Sequence, residues 1–224
     1  MSLPPPIRNS GQLLCYVTDR KQLVTPTQDA RTALLEIVKG AAKAGVNWIQ
    51  IREKDLSAAE LSEFAREALR YTSASCRILV NDRLDVACAV GAAGVHLGER
   101  SMPAEAARRF VRERVSAKDF LIGVSVHSQL AAQAAQEAGA DYVIFGPVFA
   151  TPSKIAFGPS QGLDRLGEVC SSITIPVLAI GGIRPENAQD CYEHGARGIA
   201  AIRLFQEAVD VRKVVAKLRD LKAD

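Results

Sequence analysis

The chain's 224 residues are 48% hydrophobic and 24% charged, the proportions of an ordinary water-soluble protein with enough material for a sizeable core. A net charge of +3 is too small to point to nucleic acid, and no run approaches the ~20 apolar residues of a membrane span, so neither partner is expected. Five scattered cysteines (Cys15, Cys76, Cys88, Cys170 and Cys191) form no C-x-x-C pair, which argues against a metal cluster or a disulfide framework and for reduced thiols in a cytoplasmic protein.

Residues 1–11 carry three prolines and no long apolar segment, so they read as a loose N-terminal arm without a signal peptide, ahead of one domain over 12–224. The first apolar run is Leu13–Val17, followed by Thr18-Asp19-Arg20 and a polar loop to Asp29. Apolar residues at helical spacing (Leu34, Leu35, Ile37, Val38, Ala41) predict a helix from Ala30 to Ala44, closed by Gly45. Val46–Ile51 reads as a strand whose end carries Gln50, Arg52, Glu53 and Lys54. Ser57 and Glu60 form a capping-box pattern for a helix running to about Tyr71.

The pattern then repeats. Short strands are predicted at Arg77–Val80, Gly94–Leu97, Phe120–Val124, Tyr142–Phe145, Pro176–Ile180 and Gly198–Ile202. Between them lie helices at Leu84–Val90, from Pro103, at Gln129–Ala138, at Leu163–Cys170 and from Pro185 to Gly195, with a final amphipathic helix over Phe205–Leu221. The strands are near-continuously apolar, as parallel strands buried on both faces should be. Strand and helix alternate throughout, and eight such units in ~220 residues fit an α/β fold of the single TIM (β/α)8 barrel kind better than a doubly wound sheet, which has fewer units.

In such a barrel the chemistry sits where the strands end. Those ends carry Gln50, Arg52 and Lys54; Asn81 and Asp82; Ser125 and His127; Thr151, Ser153 and Lys154; and Gly181 and Gly182. The stretch YVIFGPVFATPSK (Tyr142–Lys154) is the clearest case, a buried strand broken at Gly146-Pro147 that opens into two hydroxyls and an ammonium. Singly, each group has an ordinary explanation as a turn, cap or solvated residue. Together they suggest anion handling. Arg52, Lys54 and Lys154 supply positive charge. Asp82 among phosphate oxygens is a seat for Mg2+. Gly181-Gly182 and the end of the eighth strand offer backbone N–H groups to a second phosphate.

With these residues in view, the chain resembles the thiamine phosphate synthase and TenI superfamily. The resemblance runs from Tyr16 to about Phe205. It rests on IQIREKD (Ile49–Asp55), NDRLDVA (Asn81–Ala87), GVHLGE (Gly94–Glu99), GVSVHS (Gly123–Ser128), GADYVIFGPVFATPSK (Gly139–Lys154) and PVLAIGGI (Pro176–Ile183) in that order. It implies that a pyrimidine methyl diphosphate and a thiazole phosphate are joined through a pyrimidine carbocation, giving thiamine phosphate and pyrophosphate. By the same resemblance, Gln50, Arg52, Lys54 and Asn81 hold the pyrimidine diphosphate, with Ser125 and Lys154 contacting it and Asp82 ligating Mg2+. Thr151, Ser153 and Gly182 hold the thiazole phosphate, beside Gly181 and Ile202.

Two positions depart from the family pattern. Where synthases read Gly-Gln-Glu-Asp and the Asp is a second metal ligand, this chain has Gly98-Glu99-Arg100-Ser101, so Ser101, a weaker ligand, replaces a carboxylate. Where the family has Ile-Ser at the end of the eighth strand, this chain has Ile202-Arg203, and Arg203 stands either to pair with a phosphate or to face solvent. Other readings are a TenI-like thiazole tautomerase with His127 as proton shuttle, a ligand-binding relative without turnover, and a sugar-phosphate epimerase, against which Arg52, Lys54 and Asn81-Asp82 argue. Small-molecule substrates are expected; oligomeric state is open, with a homodimer allowed. The loop from Ala150 to Gln161 is a candidate lid.

Overall fold

The computed structural model describes residues 11–23, 29–73, 75–98, 100–115, 119–151 and 159–221. The arm ahead of Gly11, Glu99, Ser153, Lys154 and most of the candidate lid lie outside the described residues. Eight strands close into a barrel in chain order: β1 Leu13–Val17, β2 Trp48–Ile51, β3 Arg77–Asn81, β4 Gly94–Leu97, β5 Leu121–Val126, β6 Tyr142–Phe145, β7 Val177–Ile180 and β8 Gly198–Ala201. Every neighbouring pair is parallel, and β8 closes on β1 in the register Leu13↔Gly198 to Tyr16↔Ala201.

The helices follow their strands: α1 Ala30–Ala44, α2 Ala58–Leu69, α3 Leu84–Val90, α4 Ala104–Arg114, α5 Gln129–Glu137, α6 Gly162–Ser172, α7 Ala188–Glu193, α8 Arg203–Gln206 and α9 Val211–Arg219. Their ends obey local chemistry. Asp29 caps α1 by accepting from the Thr32 N–H, and Gly45 ends it at φ 92°. Ser57 and Glu60 bond reciprocally at the start of α2.

The core has two compartments. Outward strand faces, such as Ile49, Ile51 and Val143, pack on the helix faces that carry Leu34, Phe64 and Val169. A separate cluster fills the barrel, including Leu13, Trp48, Leu79, Leu121, Tyr142 and Leu178. Trp48 and Tyr142 meet across it with ring centroids 4.6 Å apart. Bulk in one strand requires its absence in the next: a Cβ on Gly123 would lie 2.0 Å from the Tyr142 ring. Large and small residues therefore alternate around the barrel, as its closed interior demands.

Four expectations are corrected. The segment after Asp19 is not all loop, because Arg20–Gln22 forms a 3-10 turn on the Asp19 cap. β5 runs to Val126, which puts Ser125 inside the strand. The seventh helix begins at Ala188 and not Pro185, because Arg184–Asn187 is tied into a turn by the Asn187 side chain. The single last helix is two, α8 and α9, because Asp210 caps a new start by accepting from the Arg212 N–H. Replacing Ser57 by Ala should cost about 1 kcal/mol of stability by urea denaturation and leave catalytic rates unchanged, since only the α2 cap is lost.

Candidate active site

Side chains alternate along a strand, so the residues that share a face with the barrel-filling cluster also face inward at the mouth. Above Trp48 on β2 come Gln50 and then Arg52. Above Leu79 on β3 comes Asn81. On β5, Ser125 and then His127 follow Leu121 and Gly123; on β7 and β8, Gly182 follows Leu178 and Ile180, and Ile202 follows Ala200. The Gln50 amide donates to the Asn81 carbonyl oxygen at 2.9 Å, which locks the second and third strand ends together. Gln50 is only 2% exposed, yet its own Oε1 has no partner among the described residues. A buried carbonyl without a donor is a seat for a ligand N–H.

Arg52 is held from behind. Its backbone N–H donates to the Thr18 hydroxyl at 2.9 Å, and that hydroxyl donates to Glu53 at 2.7 Å. Glu53, 5% exposed, also accepts from the Arg20 backbone and guanidinium, and Asp55 takes two further bonds from Arg20. Hydrogen bonds from Arg20 and Lys21 hold the Asp55 carboxyl down at about 2. Gln206 of α8 completes the brace: it accepts from the Tyr16 hydroxyl and the Asp19 N–H. Asp19 lies 3.7 Å from the Arg52 guanidinium. Lys54 is exposed two residues further on.

Asp82 follows Asn81 in a left-handed conformation, φ 66°, while its N–H donates to the His96 carbonyl at 2.8 Å. A non-glycine residue kept there is strained, and Asp tolerates it better than bulkier residues. The turn leaves its side chain exposed at the rim. Ser101 is differently employed. Its hydroxyl accepts the Gly98 N–H at 2.7 Å and closes the turn after β4.

On the other side of the mouth, the segment after β6 lies along the end of β7: Val148 N–H donates to Ile180 and Phe149 N–H to Gly181. Gly181 and Gly182 let this happen, because a Cβ on either would lie within 2.8 Å of that segment. Thr151 is 8% exposed, and the Arg203 guanidinium donates to its hydroxyl at 2.8 Å. Arg203 is therefore turned to the mouth and not to solvent. His127 binds the Gly146 carbonyl through Nδ1.

One inward residue was missed by sequence reasoning. His96 on β4 is 2% exposed and touches both the Tyr142 hydroxyl and Ser125. Burial, and secondarily the charge of Arg52, push its pKa down to about 3. Its signal was available, since a polar residue set between Gly94 and Gly98 in a parallel strand stands on the glycine face.

These features define a phosphate-handling enzyme on a TIM barrel, with a cationic and amide-lined side facing a glycine-lined one. The family model for thiamine monophosphate synthase matches residues 22–205. A thiamine-phosphate synthase from Roseiflexus sp. is 38% identical over 208 residues, covering 92% of this chain and 84% of that protein. Another from Methanoculleus marisnigri is 43% identical over 187 residues, covering 83% and 86%. The solved thiamine phosphate pyrophosphorylase from Pyrococcus furiosus superposes with a TM-score of 0.78 at 36% identity over 93% of this chain and 94% of that one. The chain belongs to the thiamine monophosphate synthase family.

Two outcomes follow from the braces. Replacing Glu53 by Ala removes the acceptor of the Thr18 hydroxyl and leaves the Arg20 guanidinium with Asp55 alone of its two carboxylate partners; urea denaturation should show a loss of about 2 kcal/mol, and the KM for an anionic substrate should rise as Arg52 loosens. His96 sets a pH limit. Its folded pKa lies near 3 against an ordinary 6.5, so the unfolded chain takes up the proton first. Stability should be full above pH 6.5 and fall as pH drops toward 3; the His96→Gln variant, compared at pH 7 and pH 5, should lose that part of the slope.

Proposed function

We propose that this chain is a thiamine-phosphate synthase that joins hydroxymethylpyrimidine diphosphate to thiazole phosphate. The bond between the pyrimidine methylene carbon and the diphosphate oxygen breaks, and its electron pair leaves with pyrophosphate. The thiazole nitrogen then gives its lone pair to the resulting carbocation. The observation that carries this reading is the pairing of Gln50 with Asn81 beside Arg52 on one side of the mouth, opposite Thr151 and Arg203 on the other.

In this mechanism the unpartnered Gln50 carbonyl accepts from the pyrimidine's amino group. Arg52, Lys54 and Lys154 bind the diphosphate and stabilise the charge that grows on it as it departs, an effect that is large in a site shielded from water. Ser125 contacts the same diphosphate. Thr151, Ser153, Gly181, Gly182, Ile202 and Arg203 form the seat of the thiazole phosphate, and Arg203 supplies a forked cation there. His127 follows β5 and is bonded to the Gly146 carbonyl.

The donor set suits Mg2+ held partly by the substrate. Asp82 gives one exposed carboxylate, the Ser101 hydroxyl is occupied by Gly98, and no cluster of three or more His, Cys, Asp or Glu occurs among the described residues. Mg2+ commonly takes one or two carboxylates with substrate phosphates and waters, so Asp82 would hold it beside the diphosphate. When bound, the ion would neutralise negative charge on the leaving group.

Supplying both substrates with Mg2+ should yield thiamine phosphate and pyrophosphate in equal amounts. Exchange between thiazole tautomers with no thiamine phosphate would replace this reading by the tautomerase. Asp82→Asn should lower kcat/KM on the order of a hundredfold, with partial recovery at raised Mg2+. Arg203→Ser should raise the KM for thiazole phosphate about tenfold, the size of a lost charge-assisted hydrogen bond, and leave the KM for the pyrimidine diphosphate unchanged.

A further inference from the structure

Inside the barrel, Tyr142, His96 and Ser125 form a chain: the Tyr142 hydroxyl lies 3.1 Å from His96 Nδ1, and His96 Nε2 lies 2.8 Å from Ser125 Oγ. Tyr142 is fully buried, and among the described residues its hydroxyl has one hydrogen-bond partner, His96. The direction of the chain follows from donor accounting. A phenol carries one O–H, and a buried O–H must donate. Its only acceptor here is Nδ1, so that nitrogen carries a lone pair. In a neutral imidazole the proton then sits on Nε2. Burial keeps the ring neutral. Nε2–H therefore donates to Ser125 Oγ, and the hydroxyl proton of Ser125 is left for another acceptor. The opposite tautomer would leave the Tyr142 proton buried with nothing to receive it.

The packing serves this chain. Gly123, two residues before Ser125, is the position whose lack of a side chain admits the Tyr142 ring. Trp48 packs on the other part of that ring. Ser125 is the one member that is not fully buried, and it stands on the inward face above Gly123.

We propose that Tyr142 and His96 are positioning residues that form a one-way hydrogen-bond relay, engaging the Ser125 oxygen as an acceptor from below and biasing its O–H toward the mouth, where it binds an oxygen of the departing diphosphate. This role for Ser125 rests on the function proposed above, whereas the direction of the relay does not. No proton is transferred along the chain. The relay occupies one lone pair of the serine oxygen from below and leaves its O–H as the group free to turn to the mouth, so its dipole is oriented before charge develops on the leaving group.

Two measurements separate the parts. Long-range 1H–15N NMR of the wild-type protein, without substrates, should show His96 protonated on Nε2 and unchanged in tautomer from pH 6 to pH 8. A proton on Nδ1 overturns the relay whatever the enzyme does. Calorimetric titration with inorganic pyrophosphate and Mg2+ then compares wild type with Ser125→Ala, Tyr142→Phe and the double variant. Each single variant should weaken pyrophosphate binding about tenfold, and the double variant should be no weaker than Ser125→Ala, as members of one chain are not additive. With both substrates, kcat should fall in Tyr142→Phe while the KM for thiazole phosphate holds. Unchanged pyrophosphate affinity in a folded Tyr142→Phe, or additive losses in the double variant, refutes the positioning role. Relay-consistent NMR and binding without thiamine phosphate formation would refute only the proposed function.

Discussion

A closed parallel barrel sends every second side chain into its interior, and in this chain that alternation decides which polar residues can act together. The sequences Trp48-Ile49-Gln50-Ile51-Arg52 and Gly123-Val124-Ser125-Val126-His127 each place apolar residues outward against a helix, and inward a large or polar residue or, at Gly123, none. A slip of one residue in β2 would bury Arg52 against α2 and turn Ile51 to the mouth, so register and chemistry are one constraint. The barrel interior enforces it from below. Tyr142 occupies the middle of the barrel because Gly123 stands opposite, Trp48 packs against its ring, and the polar layer rests on that aromatic floor.

The polar layer is stiff for a reason that lies outside it. Arg52 sits on a loop, yet its backbone is bonded to Thr18, Thr18 to Glu53, and Glu53 to Arg20. Those bonds cross from the first strand end to the second, and Gln206 ties the same corner to α8. A buried carboxylate with an arginine partner and two further donors, the Thr18 hydroxyl and the Arg20 N–H, is a costly arrangement that becomes favourable only when every bond is made. The site's cationic charge is thereby presented from a fixed frame, which is what electrostatic stabilisation of a leaving group requires.

Much of this was legible in the sequence, and the failures have physical causes. The closure at Gly45 and the cap at Ser57 are local, so the chain reports them directly. Strand apolarity is also local, and the eightfold alternation yields the barrel. Most rim residues were readable because strand ends carry them. What local pattern cannot report is a partner far away in the chain. Glu53 looks like one member of a solvated Arg-Glu-Lys cluster until Thr18 and Arg20 arrive from the first strand. Tyr142 looks like one apolar strand residue until His96 meets its hydroxyl. Periodicity also runs through the break between α8 and α9, because the Asp210 cap competes with a continuous helix only once Gln206 is anchored on Asp19.

The two departures from the family pattern act in the same direction. At Ser101 a negative charge is absent, and its hydroxyl has been put to use in the β4 turn. At Arg203 a positive charge is added, aimed across the mouth at Thr151. Relative to a rim with Asp and Ser at those places, the mouth gains two units of positive potential. Under the proposed function, such a mouth attracts both anionic substrates more strongly in the absence of metal and binds a divalent cation more weakly, with Asp82 the candidate carboxylate for it among the described residues. Less of the leaving group's charge then has to be met by a metal held by the protein, and more is met by arginine and lysine. That shift makes the orientation of neutral donors matter more, because a fixed hydroxyl dipole is worth most where no carboxylate-bound ion dominates the field. A serine whose direction is set by a buried histidine and tyrosine belongs in a site of this kind.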